Sequence, residues 1–379
     1  MTEVLPNATV PTTLGELIAD LQAFGMRTRA QLEKRIGGAG PTDVGLIWVE
    51  GIGVTVPTET EEAKRSPYSL EREDEGFAIY RDGVRMASAE GERRPKFYDL
   101  ETADGIPYWK IALLHLDSLA STVVQHCTYW GNSDQCGFCG IGLSLDSGRT
   151  IVKKTPAQLA EVAVAARDLD GAVDATLTTG SSNGRDRGAL YVAKCGQAVK
   201  EASGLPVEVQ FEPPFEIDVI NQVGDMGIDS VGIHIETFDP AVMARVAPGK
   251  FRTGIERYFE AWERAVKVFG SGQVSTYVIL GMGEDPELTI EGCKRAVDIG
   301  VYPFIVPIRP VVGSLLEDIV PPSRDYTEPI YKKIASYMAE RGMDASQVSA
   351  GCARCQACSA INSMQSDTPL VLLGPTRTI

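Results

Sequence analysis

Six of the chain's eight cysteines fall into two tight groups. The first is His126-Cys127-Thr-Tyr-Trp-Gly-Asn-Ser-Asp-Gln-Cys136-Gly-Phe138-Cys139, a C-x8-C-x2-C spacing. The second is Gly351-Cys352-Ala-Arg-Cys355-Gln-Ala-Cys358, a C-x2-C-x2-C run. Three thiolates in one loop can hold three irons of a cubane cluster, leaving the fourth iron open to a small molecule. Disulfides belong to small secreted chains, whereas this chain is long, and its start (Met1 to Pro11) carries no basic or apolar signal-like segment. Zinc is the competing reading, chiefly for the second group. Structural zinc takes four ligands, and a fourth thiolate would have to come from Cys195 or Cys293, both in predicted helices. Only three histidines exist, His115, His126 and His234, which argues against a His-rich hydrolytic zinc site.

These groups need elements to position them. From Ser121 onward, short β-branched or apolar runs alternate with helical patterns. The runs are Ser121 to Gln125, Ala175 to Thr179, Val207 to Phe211, Ser230 to Ile235, Val274 to Leu280 and Phe304 to Ile308. Helical patterns lie between them, at about Pro156 to Asp168, Asp186 to Ala202, Phe215 to Met226, Thr253 to Phe269, Pro286 to Ile299 and Tyr326 to Arg341. Such alternation predicts a parallel sheet, and six units predict a partial (β/α)6 TIM-like barrel. Right-handed crossovers bring all strand C-terminal ends to one face, where chemistry collects. Both the first cysteine group and Glu236 follow predicted strands.

The expected organisation is α/β with three parts. Residues 1–105 form a small α+β accessory domain, with a helix over Thr13 to Arg35, a glycine run at Gly37 to Gly40, a strand at Val44 to Val49 and a charged stretch from Glu59 to Glu75. Residues 106–345 form the barrel, and residues 346–379 a C-terminal tail that binds the second cluster.

The first cysteine loop resembles that of the radical S-adenosylmethionine (SAM) superfamily, whose usual signature is C-x3-C-x2-C with an aromatic residue before the last cysteine. Cys136-Gly-Phe138-Cys139 fits the second half, while the first gap is longer here. The strand ends resemble the biotin synthase and lipoyl synthase branch. The resemblance covers residues 121 to about 340. It implies that Cys127, Cys136 and Cys139 hold a [4Fe–4S] cluster, that SAM chelates the open iron, and that Phe138 packs near the adenine. It further implies that Thr179, Gly180 and Ser181 meet the SAM amino group, that Glu236 binds the ribose, and that Gly281 and Gly283 back the adenine. His234 stands where that branch has asparagine, and Arg245 is the basic residue that follows. Arg309, after the sixth strand, could bind a carboxylate bidentately. Tails like that of Cys352, Cys355 and Cys358 carry auxiliary clusters in such enzymes.

The implied activity is reductive cleavage of SAM to a 5′-deoxyadenosyl radical that abstracts hydrogen from a small polar metabolite, followed by sulfur insertion or rearrangement. The implied partner is a reductant such as ferredoxin or flavodoxin. Arg185, Glu212, Tyr277 and Arg309 are further contacts expected at the barrel mouth. Two other readings stay open: a non-catalytic iron–sulfur electron carrier and a zinc-stabilised barrel. A net charge of −15 argues against nucleic acid. No apolar stretch approaches the ~20 residues that span a bilayer, so a cytoplasmic location is expected.

Overall fold

Helix α1 (Leu14–Phe24) opens with a capping box: the Thr13 hydroxyl accepts from the Glu16 N–H, and the Glu16 carboxylate accepts from the Thr13 N–H. It stops at Gly25, whose φ of 66° suits glycine, so it is shorter than the expected Thr13 to Arg35 helix. The structure, a computed structural model, describes residues 9–30, 32, 44–74, 76–365 and 368–370; the run Gly37 to Gly40 lies outside them.

After α1 comes a six-stranded sheet of β1 (Arg27–Thr28), β2 (Val44–Val49), β3 (Ile52–Pro57), β4 (Tyr68–Arg72), β5 (Phe77–Arg81) and β6 (Val84–Gly91), in the order β1-β4-β5-β6-β2-β3. Its pairings are antiparallel except β1 with β4. The charged stretch from Glu59 holds the short helix α2 (Glu61–Arg65) as well as β4. Helix α3 (Tyr108–Ile111) leads into the second sheet.

That sheet is β7 (Leu113–His115), β8 (Ser118–Thr122), β9 (Asp174–Thr178), β10 (Val207–Gln210), β11 (Ser230–Gly232), β12 (Val274–Leu280) and β13 (Val301–Pro307), ordered β13-β12-β11-β10-β9-β8-β7. Strands β8 to β13 are all parallel and sequential, an open partial barrel as expected. Edge strand β7, which the sequence does not announce, pairs antiparallel with β8. The first parallel strand begins three residues earlier than expected, because small polar Ser118, Ser121 and Thr122 form it.

Helices α4 (Ile141–Asp146), α5 (Pro156–Asp170), α6 (Ala189–Ser203), α7 (Val219–Asp225), α8 (Pro240–Val246), α9 (Pro248–Thr253), α10 (Ile255–Phe269), α11 (Pro286–Asp298) and α12 (Arg324–Glu340) connect the strands. Helix α5 begins with the Thr155 cap and Pro156, as read from the sequence, and ends at Gly171. The strands bury continuous runs, and every residue of β13 is buried. Trp262 on α10 is fully buried and donates from Nε1 to the Ile233 carbonyl at 2.9 Å.

One hydrophobic core runs from α1 through the barrel. Buried Arg324 on α12 donates to Asp20 on α1 at 3.0 Å, and the Tyr68 hydroxyl donates to the same carboxylate at 2.5 Å. The tail, with α13 (Cys352–Cys355), returns beneath the N-terminal ends of the barrel strands. There Arg354 donates to Asp117 at 2.7 and 2.9 Å and to Asp174 at 2.9 Å. Among the described residues, no helix is long and apolar enough to cross a membrane.

Candidate functional site

The first cysteine loop is fastened to the end of β9. The Thr128 N–H donates to the Ser181 carbonyl at 2.8 Å, and Gly180 N–H to the Val124 carbonyl at 3.0 Å. A Cβ on Gly180 would lie 2.1 Å from the His126 carbonyl oxygen and 3.1 Å from the Cys127 Cα, so only glycine admits this approach. The far arm is pinned by Gly137 N–H to the Val246 carbonyl at 2.7 Å. The result brings Cys127, Cys136 and Cys139 to the wall of one cavity of about 350 Å³ at the strands' C-terminal ends.

Phe138, Thr179, Gly180, Ser181, His234 and Glu236 line the same cavity. Glu236 has φ of 72°, a left-handed conformation uncommon for a side chain of its length. Strand β12 holds it there: Glu236 N–H donates to the Tyr277 carbonyl at 3.0 Å, and the Ile279 N–H donates to the Glu236 carbonyl at 2.8 Å. Strain of this kind, about 1–3 kcal/mol, concentrates at functional sites.

Two networks missed in the sequence surround the thiols. Lys250 on α9 donates to Glu236 and to the His234 carbonyl, both at 2.6 Å. On the other side, buried Glu212 accepts from Ser181 Oγ at 2.6 Å, Thr253 Oγ1 at 3.0 Å and Tyr129 at 3.1 Å, and pairs with Arg187 at 2.7 Å. Glu212 was expected only as a mouth contact; α9 and the first loop supply partners distant in sequence.

Burial pushes the Cys136 thiol well up, partly offset by Lys250, and pushes Cys139 up to about 11, partly offset by the Ile141 N–H. The neighbouring cysteines add to both shifts, so the three sulfurs lie within electrostatic reach of one another. Thiols this buried ionise when a metal takes the proton's place. Lys250 keeps its proton against burial because Glu236 faces it. Burial and then Lys250 drive His234 down to about 3, so its ring is neutral. Its Nδ1 accepts from the Tyr277 N–H at 3.2 Å, which assigns the proton to Nε2. That Nε2 is shut from solvent and, among the described residues, has no hydrogen-bond partner.

Six expected contacts stand outside the cavity lining, and one of them, Tyr277, lines the second cavity instead. Arg245 donates to the Met282 carbonyl at 2.5 Å. Gly281 and Gly283, with φ of 98° and 90°, belong to a turn whose Gly281 and Met282 N–H groups both donate to Glu284 at 2.8 Å. A Cβ on Gly281 would meet Pro322 at 2.6 Å, so the glycine serves packing there. Arg309 donates to Thr55 Oγ1 on β3 at 2.8 Å, joining the barrel mouth to the N-terminal sheet. Arg185 pairs with Glu216 on the surface at 2.8 Å.

The second cysteine group enters the barrel from below. Cys352, Cys355 and Cys358 line a second cavity of about 140 Å³, with Tyr277 and His115. Thr122, Thr178 and Gln210 line both cavities, so the two cysteine groups face each other through the barrel. Cys352 Sγ accepts from the Tyr277 hydroxyl at 3.2 Å and from Gln210 Nε2 at 3.5 Å. Cys358 Sγ accepts from Thr55 Oγ1 at 3.4 Å. Gly351 has φ of 98°, and a Cβ there would lie 2.2 Å from the Glu208 carboxylate. Burial pushes Cys355 up to about 12, and Cys352 well above its ordinary value. Cys195 and Cys293 are fully buried in α6 and α11 and line neither cavity.

The donor sets fit iron–sulfur clusters. Each group offers three thiols around a chamber. Among the described residues, no three His, Cys, Asp or Glu side chains converge on one ion. Among the described residues, the His234 N–H that faces the upper cavity has no acceptor.

No family model matches the chain. It is similar to Bacteriochlorophyllide c C-7(1)-hydroxylase of Chlorobaculum limnaeum, 30% identical over 133 residues, 35% of this chain and 33% of that protein. The chain therefore matches about a third of that relative's length. Similar solved structures include methylornithine synthase (16% identity, 66% of this chain and 70% of that one, TM-score 0.48). A radical SAM methyltransferase from Sphaerobacter thermophilus is 14% identical over 72% of this chain and 75% of its own, with a TM-score of 0.46. The FeFe-hydrogenase maturase HydG from Carboxydothermus hydrogenoformans is 16% identical over 58% of this chain and 50% of its own, with a TM-score of 0.43.

Proposed function

We propose that the chain is a radical SAM enzyme acting on a small polar substrate inside its partial barrel. One observation carries the reading: three thiols, Cys127, Cys136 and Cys139, ring a cavity at the C-terminal ends of parallel strands, with polar groups built around them. These cysteines would hold a [4Fe–4S] cluster that, with SAM bound, would supply reductive SAM cleavage and hydrogen abstraction from the substrate.

The chain's own residues do the rest. Lys250 offsets thiolate charge and holds Glu236 toward the cavity, where its carboxylate can accept from ribose hydroxyls. Ser181, oriented by Glu212, stands where an amino group can be met. The His234 N–H donates to an acceptor on the cofactor or substrate. Thr122, Thr178 and Gln210 form the wall shared with the lower cavity, and their polar side chains suit a small polar substrate. Cys352, Cys355 and Cys358 hold an auxiliary cluster beneath it. An external one-electron reductant, of ferredoxin or flavodoxin type, completes the system.

The test is anaerobic. Reconstituted protein should bind about seven or eight irons and form 5′-deoxyadenosine from SAM under reduction. Cys136→Ala or Cys139→Ala should abolish this, while Cys352→Ala retains abortive cleavage, showing that the fold survives loss of a cysteine. Two clusters without SAM cleavage would make the protein an electron carrier. Zinc in place of iron would make it a zinc-stabilised barrel. Either result overturns the proposal.

A further inference from the structure

The geometry points to His115 as the fourth ligand of an iron–sulfur cluster held by Cys352, Cys355 and Cys358. This rests on the reading of the second cysteine group as a cluster site. His115 is the last residue of β7, paired with Ser118 across the tight turn into β8. The turn carries its ring beneath the barrel, to the returning tail. The ring stands between two of the sulfurs, with Nδ1 3.5 Å from Cys355 Sγ and Nε2 3.9 Å from Cys358 Sγ. His115 is only 8% exposed.

A buried imidazole kept for structure normally gives its N–H to an oxygen and satisfies its other nitrogen with a donor. Among the described residues, the hydrogen-bond partners of this ring are the two sulfurs, and thiols are weak at both roles. Ring nitrogens beside Cys355 and Cys358, with Cys352 on the wall of the same cavity, are instead a ligand set. The other candidates for a fourth ligand fail on position, since Cys195 and Cys293 line neither cavity.

The surroundings are built for anionic sulfur. Tyr277, Gln210 and Thr55 each donate to a sulfur of the group. Such bonds stabilise a cluster and tune its potential. The Arg354 clamp on Asp117 and Asp174 fixes the tail's position without help from a metal.

The two cysteine groups then differ in kind. The upper one, with three ligands, is open to a small molecule. The lower one, with four, is closed and exchanges electrons without binding substrate. A histidine in place of a thiolate removes one negative charge and makes the cluster easier to reduce.

The experiment uses the full-length chain carrying Cys127→Ala, Cys136→Ala and Cys139→Ala, so that only the lower group can be filled. It is reconstituted anaerobically with iron and sulfide, reduced, and examined by pulsed electron paramagnetic resonance. About four irons are expected, with a nitrogen coupling that changes on 15N-histidine labelling. His115→Ala should remove the coupling. His115→Cys should keep the irons, lose the coupling and lower the reduction potential. Iron bound without histidine coupling, or a coupling that survives His115→Ala, overturns the assignment while leaving the cluster reading intact. Zinc or no metal in the lower group overturns the cluster reading as well. The labelling result needs no substitution at His115, so poor folding of those variants would not shield the assignment.

Discussion

Lys250 Nζ lies 2.6 Å from a carboxylate oxygen of Glu236, and the two side chains are only 14% and 11% exposed. Removing one partner of a buried pair leaves the other charged and desolvated, which costs about 3–5 kcal/mol. Lys250→Met should therefore destabilise the apo-protein by about 3 kcal/mol, toward the low end because some exposure remains. Adding Glu236→Gln should restore much of that loss. Urea denaturation of the two single variants and the double variant measures the coupling; simple additivity would contradict it.

His234 makes stability sensitive to acid. Its folded pKa of about 3 lies below the ordinary 6.5, so between those values the unfolded chain binds a proton that the folded ring refuses. Stability from this residue is complete above pH 6.5 and falls as pH drops through that window. At pH 5 the loss is about 2 kcal/mol. Denaturation midpoints at pH 7.5 and pH 5 should converge in His234→Gln by about that amount relative to the parent protein. An unchanged pH dependence would mean the ring takes up its proton without cost.

Gly180 is where the first cysteine loop crosses the end of β9. Gly180→Ala forces a Cβ against the His126 carbonyl, a backbone atom that cannot swing aside. Overpacking of this sort costs about 1–3 kcal/mol. The variant should stay folded by circular dichroism yet lose most of the iron of the first group, while the second group remains filled. Full iron loading would show that the loop is not fixed by this contact.

Asp20 ties α1 to α12 through Arg324 and to β4 through Tyr68. Asp20→Ala should cost about 1.5–3 kcal/mol, the loss of hydrogen bonds to a charged group, because Arg324 still pairs with Glu16 at 3.2 Å and Glu328 at 3.4 Å. Hydrogen exchange should speed up in both α1 and α12. Faster exchange in α1 alone would mean that the barrel does not depend on this contact.

The barrel was legible because β12 and β13 are mostly apolar or β-branched runs, and helices such as α5 and α11 open with side-chain caps. Strand β8 was displaced in the reading because its inward face is serine and threonine, which carry no hydrophobic period. The N-terminal sheet was mostly hidden: only β2 reads as a strand, and β4 sits inside a charged stretch. At the site, the cysteine spacing and the polar strand ends placed Thr179, Ser181 and Glu236 on the cavity wall. Lys250 and His115 were missed because proximity, rather than local pattern, gives them meaning. His115 meets a sulfur 240 residues away. Arg309 looked free at the mouth because its partner, Thr55, lies 254 residues earlier in the chain.

The tail that seals the barrel floor also sets an order of assembly. During synthesis, Cys127, Cys136 and Cys139 leave the ribosome long before Cys352 does. The three thiols of the upper chamber can come together while the cylinder is still open at its base. The lower one takes shape only when the last stretch threads back and Arg354 locks onto Asp117 and Asp174. A chain cut before that stretch would be a tube open at both ends, lacking the three thiols of the lower cavity.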